Sequence, residues 1–128
     1  MSNIKVTVFT PTFNRGYIIG RLYDSLKLQT STEFEWVVVD DGSSDNTEEL
    51  FKCWINENNF FRINYVKVKN GGKHRAINRG VKLAKGKLFF IVDSDDYLTN
   101  NAIEKILNWE SSLPDKSHFA GAVSYTHL

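Results

Sequence analysis

The chain is expected to fold as an α/β domain, with a mostly parallel sheet in the order 3-2-1-4 and helices on both faces. Three observations carry this expectation. Four short apolar runs, Ile4–Thr10, Glu35–Asp40, Phe61–Lys67 and Lys87–Val92, alternate with stretches of helical periodicity, the pattern of successive βαβ units. Two of the runs show almost no polar alternation, as strands buried on both faces require. Those same two runs, Trp36–Val39 and Leu88–Val92, stop abruptly in carboxylates: Asp40-Asp41 and Asp93-Ser94-Asp95-Asp96.

Ile4–Thr10 (IKVTVFT) is the first strand, closed by Pro11, which biases the residue before it to extended geometry. Tyr17–Gln29 follows as a helix with Ile18, Ile19, Leu22, Leu26 and Leu28 on its apolar face. Glu35–Asp40 is the second strand. Asp45-Asn46-Thr47-Glu48 has capping-box spacing, with Asp in place of Ser or Thr, and opens a helix that runs to Asn56. The lone Cys53 on that helix is expected to be buried and inert, because a free cysteine behaves as a small hydrophobe. Phe61, Ile63 and Tyr65 alternate with more polar neighbours in the third strand. Asn70-Gly71-Gly72 turns the chain into a helix over Lys73–Ala84, Gly86 breaks it, and Lys87–Val92 is the fourth strand. Thr99 or Asn100 caps a last helix carrying Ile103, Ile106, Leu107 and Trp109. The tail His118–Leu128 starts like a fifth strand and then stops, which suggests a truncated chain.

Right-handed crossovers leave few arrangements of these elements. If strands one to three wind one way and strand four returns beside the first, the switch point lies between strands one and four. Ligands bind there in open α/β sheets. The segments Pro11–Arg15, Asp40–Ser43 and Asp93–Asp96 then meet in one cleft.

Composition sets the outer limits. A chain of 128 residues, 41% hydrophobic and 24% charged, suits a single soluble globular domain. A net charge of +1 argues against a general nucleic-acid binder. No run approaches the roughly 18 apolar residues of a membrane helix, and no signal peptide precedes Ile4. One cysteine allows no internal disulfide, which fits a cytoplasmic protein, membrane-peripheral at most in a longer form.

Asp93-Ser94-Asp95 carries the strongest chemical signal. On an extended segment both carboxylates would share one side, and two that close repel unless a cation neutralises them. Mg²⁺ and Mn²⁺ favour such oxygen ligands and bridge them to a diphosphate. The competing reading is a solvated acidic turn that caps the next helix, a role open to Asp96; the position after a buried strand favours the metal. Asp40-Asp41-Gly42-Ser43 is either an ordinary Asp-Gly turn or the source of a carboxylate that accepts a uracil imide N–H. Asp41 suits the base, and Asp40 suits holding the loop. Asn70-Gly71-Gly72-Lys73 resembles a phosphate-binding turn at a helix N-terminus, with Lys73 adding a point charge. Asn78 and Gly80 sit within that helix, where a glycine implies tight packing or a nearby ligand. Phe13 suits stacking on a base and Arg15 a phosphate, while Asn14 reads equally well as a helix N-cap. His74, His118 and His127 have no ligand spacing.

Four segments in order, VTVFTPTFNR, LYDSLKLQT, FEWVVVDDGSSDNT and NGGKHRAINRGVKLAKGKLFFIVDSDD, resemble the nucleotide-binding half of family 2 glycosyltransferases. The resemblance covers Ile4–Leu113. It implies a Rossmann-like GT-A fold over 1–128, forming one nucleotide-sugar-binding domain without its acceptor-binding part. It also implies transfer of a sugar from a nucleoside-diphosphate donor, UDP-linked, with inversion and with Mn²⁺ or Mg²⁺. Pro11 and Phe13 would flank the base, with Thr12 and Arg15 nearby, and Asp41 would recognise uracil. Lys73 would lie near the diphosphate or ribose. Asp93 would bind toward the ribose or a metal-bound water, beside Ser94, and Asp95 would ligate the metal directly. The acceptor would be a carbohydrate or a lipid-linked glycan.

The family's general base belongs to a segment beyond Leu128, so no catalytic residue is assigned; Glu104 and Glu110 read as solvated helix positions. The closing VSYTHL also departs from the family pattern. Rival classes fare worse on the residues. A phospho-receiver domain needs its acidic pair after strand one, which here ends Thr-Pro-Thr-Phe-Asn. An aspartyl phosphatase needs Thr where Tyr97 stands, and a nicotinamide-binding module needs a glycine fingerprint after strand one. The alternatives kept are a phospho-receiver-like signalling domain and a non-catalytic nucleotide-binding fragment.

Overall fold

Every residue of β2 (Phe34–Asp40) is buried, a state that requires strands on both edges and cover on both faces. β1 (Val6–Thr12) and β3 (Arg62–Lys67) flank it, β4 (Leu88–Ile91) lies beyond β1, and β5 (Ala122–Ser124) beyond β4. All pairs are parallel. The order is β3-β2-β1-β4-β5, so the expected 3-2-1-4 arrangement is present with its switch point between β1 and β4. Helices α1 (Gly20–Lys27), α2 (Thr47–Asn56), α3 (Lys73–Leu83) and α4 (Ala102–Ser111) alternate with the strands. This computed structural model describes residues 4–112 and 122–124. Of the expected fifth-strand tail only Ala122–Ser124 is described, as β5; His118, His127 and the remaining tail residues lie outside the described residues.

Alternate strand residues feed two cores. Val6, Val8, Trp36, Val38, Leu88 and Phe90 meet Leu22 and Leu26 of α1, Phe51 of α2, and Ile103 and Ile106 of α4. Phe9, Val37, Val39 and Phe89, of opposite parity, meet Ala76 and Ile77 of α3. Among the described residues α3 alone covers that second face.

The structure corrects several local expectations. β1 continues through Pro11 to Thr12. The Thr12 carbonyl accepts the Asp41 N–H at 2.8 Å on the β2 side, so the Pro11 nitrogen faces the β4 side, where pairing has ended at Phe9 and Ile91. Proline replaces a donor that would have had no strand partner. Helix α1 is shorter than expected, and Leu28 is 62% exposed. Ser25 and Gln29 are buried in its place. Gln29 donates to the Thr99 carbonyl at 2.7 Å and accepts the Ile103 N–H at 3.1 Å, so α4 is capped from the end of α1 and not by Thr99 or Asn100. Asp45 accepts the Thr47 N–H at 3.0 Å and its hydroxyl at 2.6 Å, but Glu48 faces Lys67 at 3.5 Å and leaves the capping box incomplete. Cys53 is exposed and Trp109 is 39% exposed, both outside the buried positions of their helices. Glu110 is less solvated than expected, 14% exposed beside Lys87 at 3.4 Å.

Candidate functional site

β1, β2 and β4 end at one edge of the sheet, around a cleft of about 450 Å³, a volume ordinary for a small-ligand site. Pro11, Thr12, Phe13 and Arg15 line it from β1 and the loop after it, Asp41 from the loop after β2, Lys73 from the start of α3, and Asp93, Ser94 and Asp95 from the turn after β4. All nine residues singled out in the sequence thus meet in one place. Asn70 and Ala76 also line it. Asn70 opens the glycine turn already read as a phosphate-binding candidate, whereas Ala76 reads as helix packing and reaches the cleft because α3 seats it against Phe9, Val37 and Val39.

Asp40 anchors the floor. It is fully buried, and its carboxylate accepts the Ser43 N–H at 2.9 Å, the Ser43 hydroxyl at 2.6 Å and the Tyr65 phenol. Its own carbonyl takes the Val68 N–H at 2.8 Å. Burial first, and then the Asp40 carboxylate, push the Tyr65 phenol well above its ordinary pKa, so Tyr65 stays a donor. Asp40 therefore ties β2 to β3 and has no side-chain surface in the cleft.

Because the Ser43 proton goes to Asp40, a Ser43 lone pair is free to accept the Asn14 N–H, at 2.8 Å. Asn14 is left-handed at φ 52°, a conformation asparagine tolerates better than most residues, and its side-chain oxygen accepts the Ser44 N–H at 2.8 Å. It is a tie between two loops. The N-cap position of α1 is Ile19, which makes no side-chain cap. This reversal leaves Phe13, 42% exposed, and Arg15 on either side of it at the cleft.

Asp41 accepts the Gly71 N–H at 2.7 Å and the Gly72 N–H at 3.1 Å. Contrary to what its sequence suggests, the glycine turn does not offer its Gly71 and Gly72 N–H groups to phosphate, because a carboxylate of the chain takes them. Gly42 and Gly72 have φ of 83° and 90°, and a Cβ on Gly42 would stand 3.2 Å from the Asn70 nitrogen, so glycine lets these loops close. Asp41 keeps lone pairs for a further donor. Beside it, Lys73 Nζ lies 3.3 Å from Asp93 Oδ1.

Asp93–Asp96 is a turn, closed by the Asp96 N–H on the Asp93 carbonyl at 3.0 Å. The turn, and not strand alternation, brings oxygens of Asp93, Asp95 and Asp96 within 4.8 Å of one another. Such a set of hard oxygen donors fits Mg²⁺ or Mn²⁺. Thr12 is 4% exposed, and its hydroxyl oxygen has no hydrogen-bond partner among the described residues. An unsatisfied buried hydroxyl costs about 1–3 kcal/mol, so this wall suits a polar ligand atom. The Asp93 and Asp95 carboxylates and the cations of Arg15 and Lys73 line one cleft, with Lys73 paired to Asp93, a set of charges able to hold a metal-bridged phosphate.

Residues 7–116 match the model of glycosyl transferase family 2. The chain belongs to that family. It is 35% identical over 101 residues to the glycosyltransferase GlyG of Streptococcus pneumoniae, covering 79% of this chain and 33% of that protein. It is 36% identical over 107 residues to the poly(ribitol-phosphate) β-N-acetylglucosaminyltransferase TarP of Staphylococcus aureus, covering 82% of this chain and 32% of TarP. In three dimensions it resembles S. aureus TarS 1–349 in complex with UDP-GlcNAc, with a TM-score of 0.77, 32% identity, and coverage of 84% of this chain and 31% of that one. It also resembles the mannosyltransferase PcManGT of Pyrobaculum calidifontis in complex with GDP-Man and Mn²⁺, with a TM-score of 0.74, 27% identity, and coverage of 90% and 34%. These neighbours give the family 2 chain a GT-A fold. The chain spans about a third of the length of these relatives.

Proposed function

We propose that this chain is the donor-binding part of an enzyme that transfers a sugar from a UDP-sugar to a carbohydrate or lipid-linked acceptor, with inversion and with Mn²⁺ or Mg²⁺. The observation that carries the reading is the meeting in one cleft of the Asp93–Asp96 turn, the Lys73 and Arg15 cations and the unpartnered Thr12 hydroxyl. The UDP-GlcNAc complex of TarS supports a uridine donor, and TarP supports an N-acetylhexosaminyl type. The Mn²⁺ complex of PcManGT supports the metal.

Pro11 and Phe13 sandwich the base, while Thr12 and Asp41 meet its polar edge. Arg15 and Lys73 hold the diphosphate, with Lys73 shifting its pairing from Asp93 to a phosphate oxygen. Asp95, with Asp93, holds the metal, and Ser94 shapes the turn between them. A divalent cation bound there would neutralise charge building on the departing diphosphate. The base that deprotonates the acceptor belongs to the acceptor-side part of a longer protein, as does completion of the catalytic site.

No helix among the described residues is long and apolar enough to cross a membrane. Calorimetry with UDP, with and without Mn²⁺, tests the reading directly. Metal-dependent binding of UDP that is lost with ADP is expected. Equal binding of ADP and UDP, or none by a folded chain, would reject it.

A further inference from the structure

Between Lys67 and Lys87 the chain carries eight of its 16 lysines and arginines and no aspartate or glutamate. The rest of the chain is net negative by seven, which is why a whole-chain charge of +1 conceals the segment. Among the described residues Lys67, Lys73 and Lys87 have carboxylate partners at 3.5, 3.3 and 3.4 Å. Lys69, Arg75, Arg79, Lys82 and Lys85 have none.

Arg75, Arg79 and Lys82 are exposed on α3. At about 100° and 1.5 Å per residue they fall within about 60° of arc, in a row about 10 Å long. The row begins beside the cleft: the Arg75 side chain folds back over Gly71, where a Cβ would stand 3.3 Å from Nη1. It runs from there toward Lys85. The arrangement is unfavourable to the helix itself. The first turn contains Lys73 and Arg75 and no acid, where the helix dipole disfavours cations, and Arg75 and Arg79 repel as an i,i+4 pair. An external anion relieves both.

The form of that anion follows from what the face lacks. A helix seated on a bilayer pairs its cations with a broad apolar or aromatic face, and single-stranded nucleic acid is held on aromatic platforms. The exposed aromatic residues Phe13, Tyr17, Phe60, Tyr97 and Trp109 all lie outside this segment, which exposes one large hydrophobe, Val81. A linear polymer with a phosphate or carboxylate in each repeat needs neither. We propose that the α3 row is a docking track for such a polyanion, namely the acceptor chain of the proposed transferase, led along α3 to the mouth of the cleft. The acceptor assignment rests on the transferase reading; the track itself rests on the charges.

The test titrates long-chain polyphosphate and polygalacturonate into the chain saturated with UDP and Mn²⁺, at about 0.15 M salt. Neutral dextran and phosphatidylglycerol vesicles serve as comparisons. Arg79→Glu/Lys82→Glu is expected to weaken binding of the preferred polymer at least ten-fold, to reduce the salt slope by about two and to leave UDP affinity unchanged. The preferred polymer tells phosphate repeats from carboxylate repeats. Equal polymer binding by both proteins, no polymer binding, or vesicle binding without polymer binding would overturn the track. If UDP itself does not bind, the donor reading fails, and the same titration without UDP still decides the track.

Discussion

Lys73 Nζ stands 3.3 Å from Asp93 Oδ1, joining the first turn of α3 to the turn after β4 at the wall of the cleft. Both side chains are substantially exposed, at 60% and 44%, and such a pair contributes only about 0–1 kcal/mol to stability. The Lys73 cation is therefore held in place at little cost and released easily. Lys73→Met is expected to weaken UDP binding about ten-fold, the loss of one charge-assisted hydrogen bond. Calorimetry paired with urea unfolding checks this. A stability loss without an affinity loss would make the pair purely structural.

Asp95 is the most exposed member of the carboxylate set and the one assigned direct metal contact. Asp95→Asn is expected to lower Mn²⁺ affinity in the presence of UDP by at least about ten-fold, with metal-free UDP binding unchanged. Electron paramagnetic resonance of free Mn²⁺ measures it. An unaltered titration would move the metal to other residues.

Gly80 reverses a familiar rule. Alanine in place of a helical glycine normally stabilises by about 1 kcal/mol, but a Cβ at Gly80 would fall 2.2 Å from Cε1 of Phe9, which is fully buried. Gly80→Ala is expected to destabilise by about 1–3 kcal/mol through overpacking, read as a lower urea midpoint.

Asp40 and Asp41 are adjacent but should respond differently. Tyr65→Phe removes one donor from the buried Asp40 carboxylate and should cost about 1–3 kcal/mol. Asp41→Asn is expected to cost less stability and to weaken UDP binding relative to other uridine-independent anions such as pyrophosphate. Comparing unfolding with nucleotide titrations for the two variants separates the roles.

Asp45 makes stability sensitive to acid. Burial alone would raise its pKa, but the Thr47 hydroxyl and the Gly16 and Thr47 N–H groups outweigh burial and hold it below the ordinary 3.8. The fold thus favours the ionised form. That contribution is complete above the unfolded value and disappears as pH falls through the lower folded value. The stability gap between wild type and Asp45→Asn should hold constant above about pH 5 and close in stronger acid. A gap independent of pH would contradict this.

Much of the site was legible because its residues follow directly from strand ends. Trp36–Val39 and Leu88–Val92 announce buried parallel strands, and right-handed crossovers then carry Pro11, Asp41 and Asp93 to one edge. Asn14 was ambiguous for a physical reason: its preferences for an N-cap and for left-handed backbone are equally local, and only Ser43 and Ser44, 29 and 30 residues away, choose between them. The cationic α3 row is hidden in the whole-chain net charge, which averages over the sequence, and is visible in a count along the segment from Lys67 to Lys87.

By itself the sequence determined the alternation of strands and helices, the 3-2-1-4 core of the sheet order and nine of the residues that line the cleft, because periodicity and breakers are local and connection rules are few. The tertiary structure alone decided which partner each polar group takes. It placed Gln29 under α4, turned Cys53 and Leu28 to solvent, and gave the Gly71 and Gly72 N–H groups to Asp41. Periodicity records the face a side chain shares with its own element. It holds no record of the neighbour that another element, tens of residues away, brings against it.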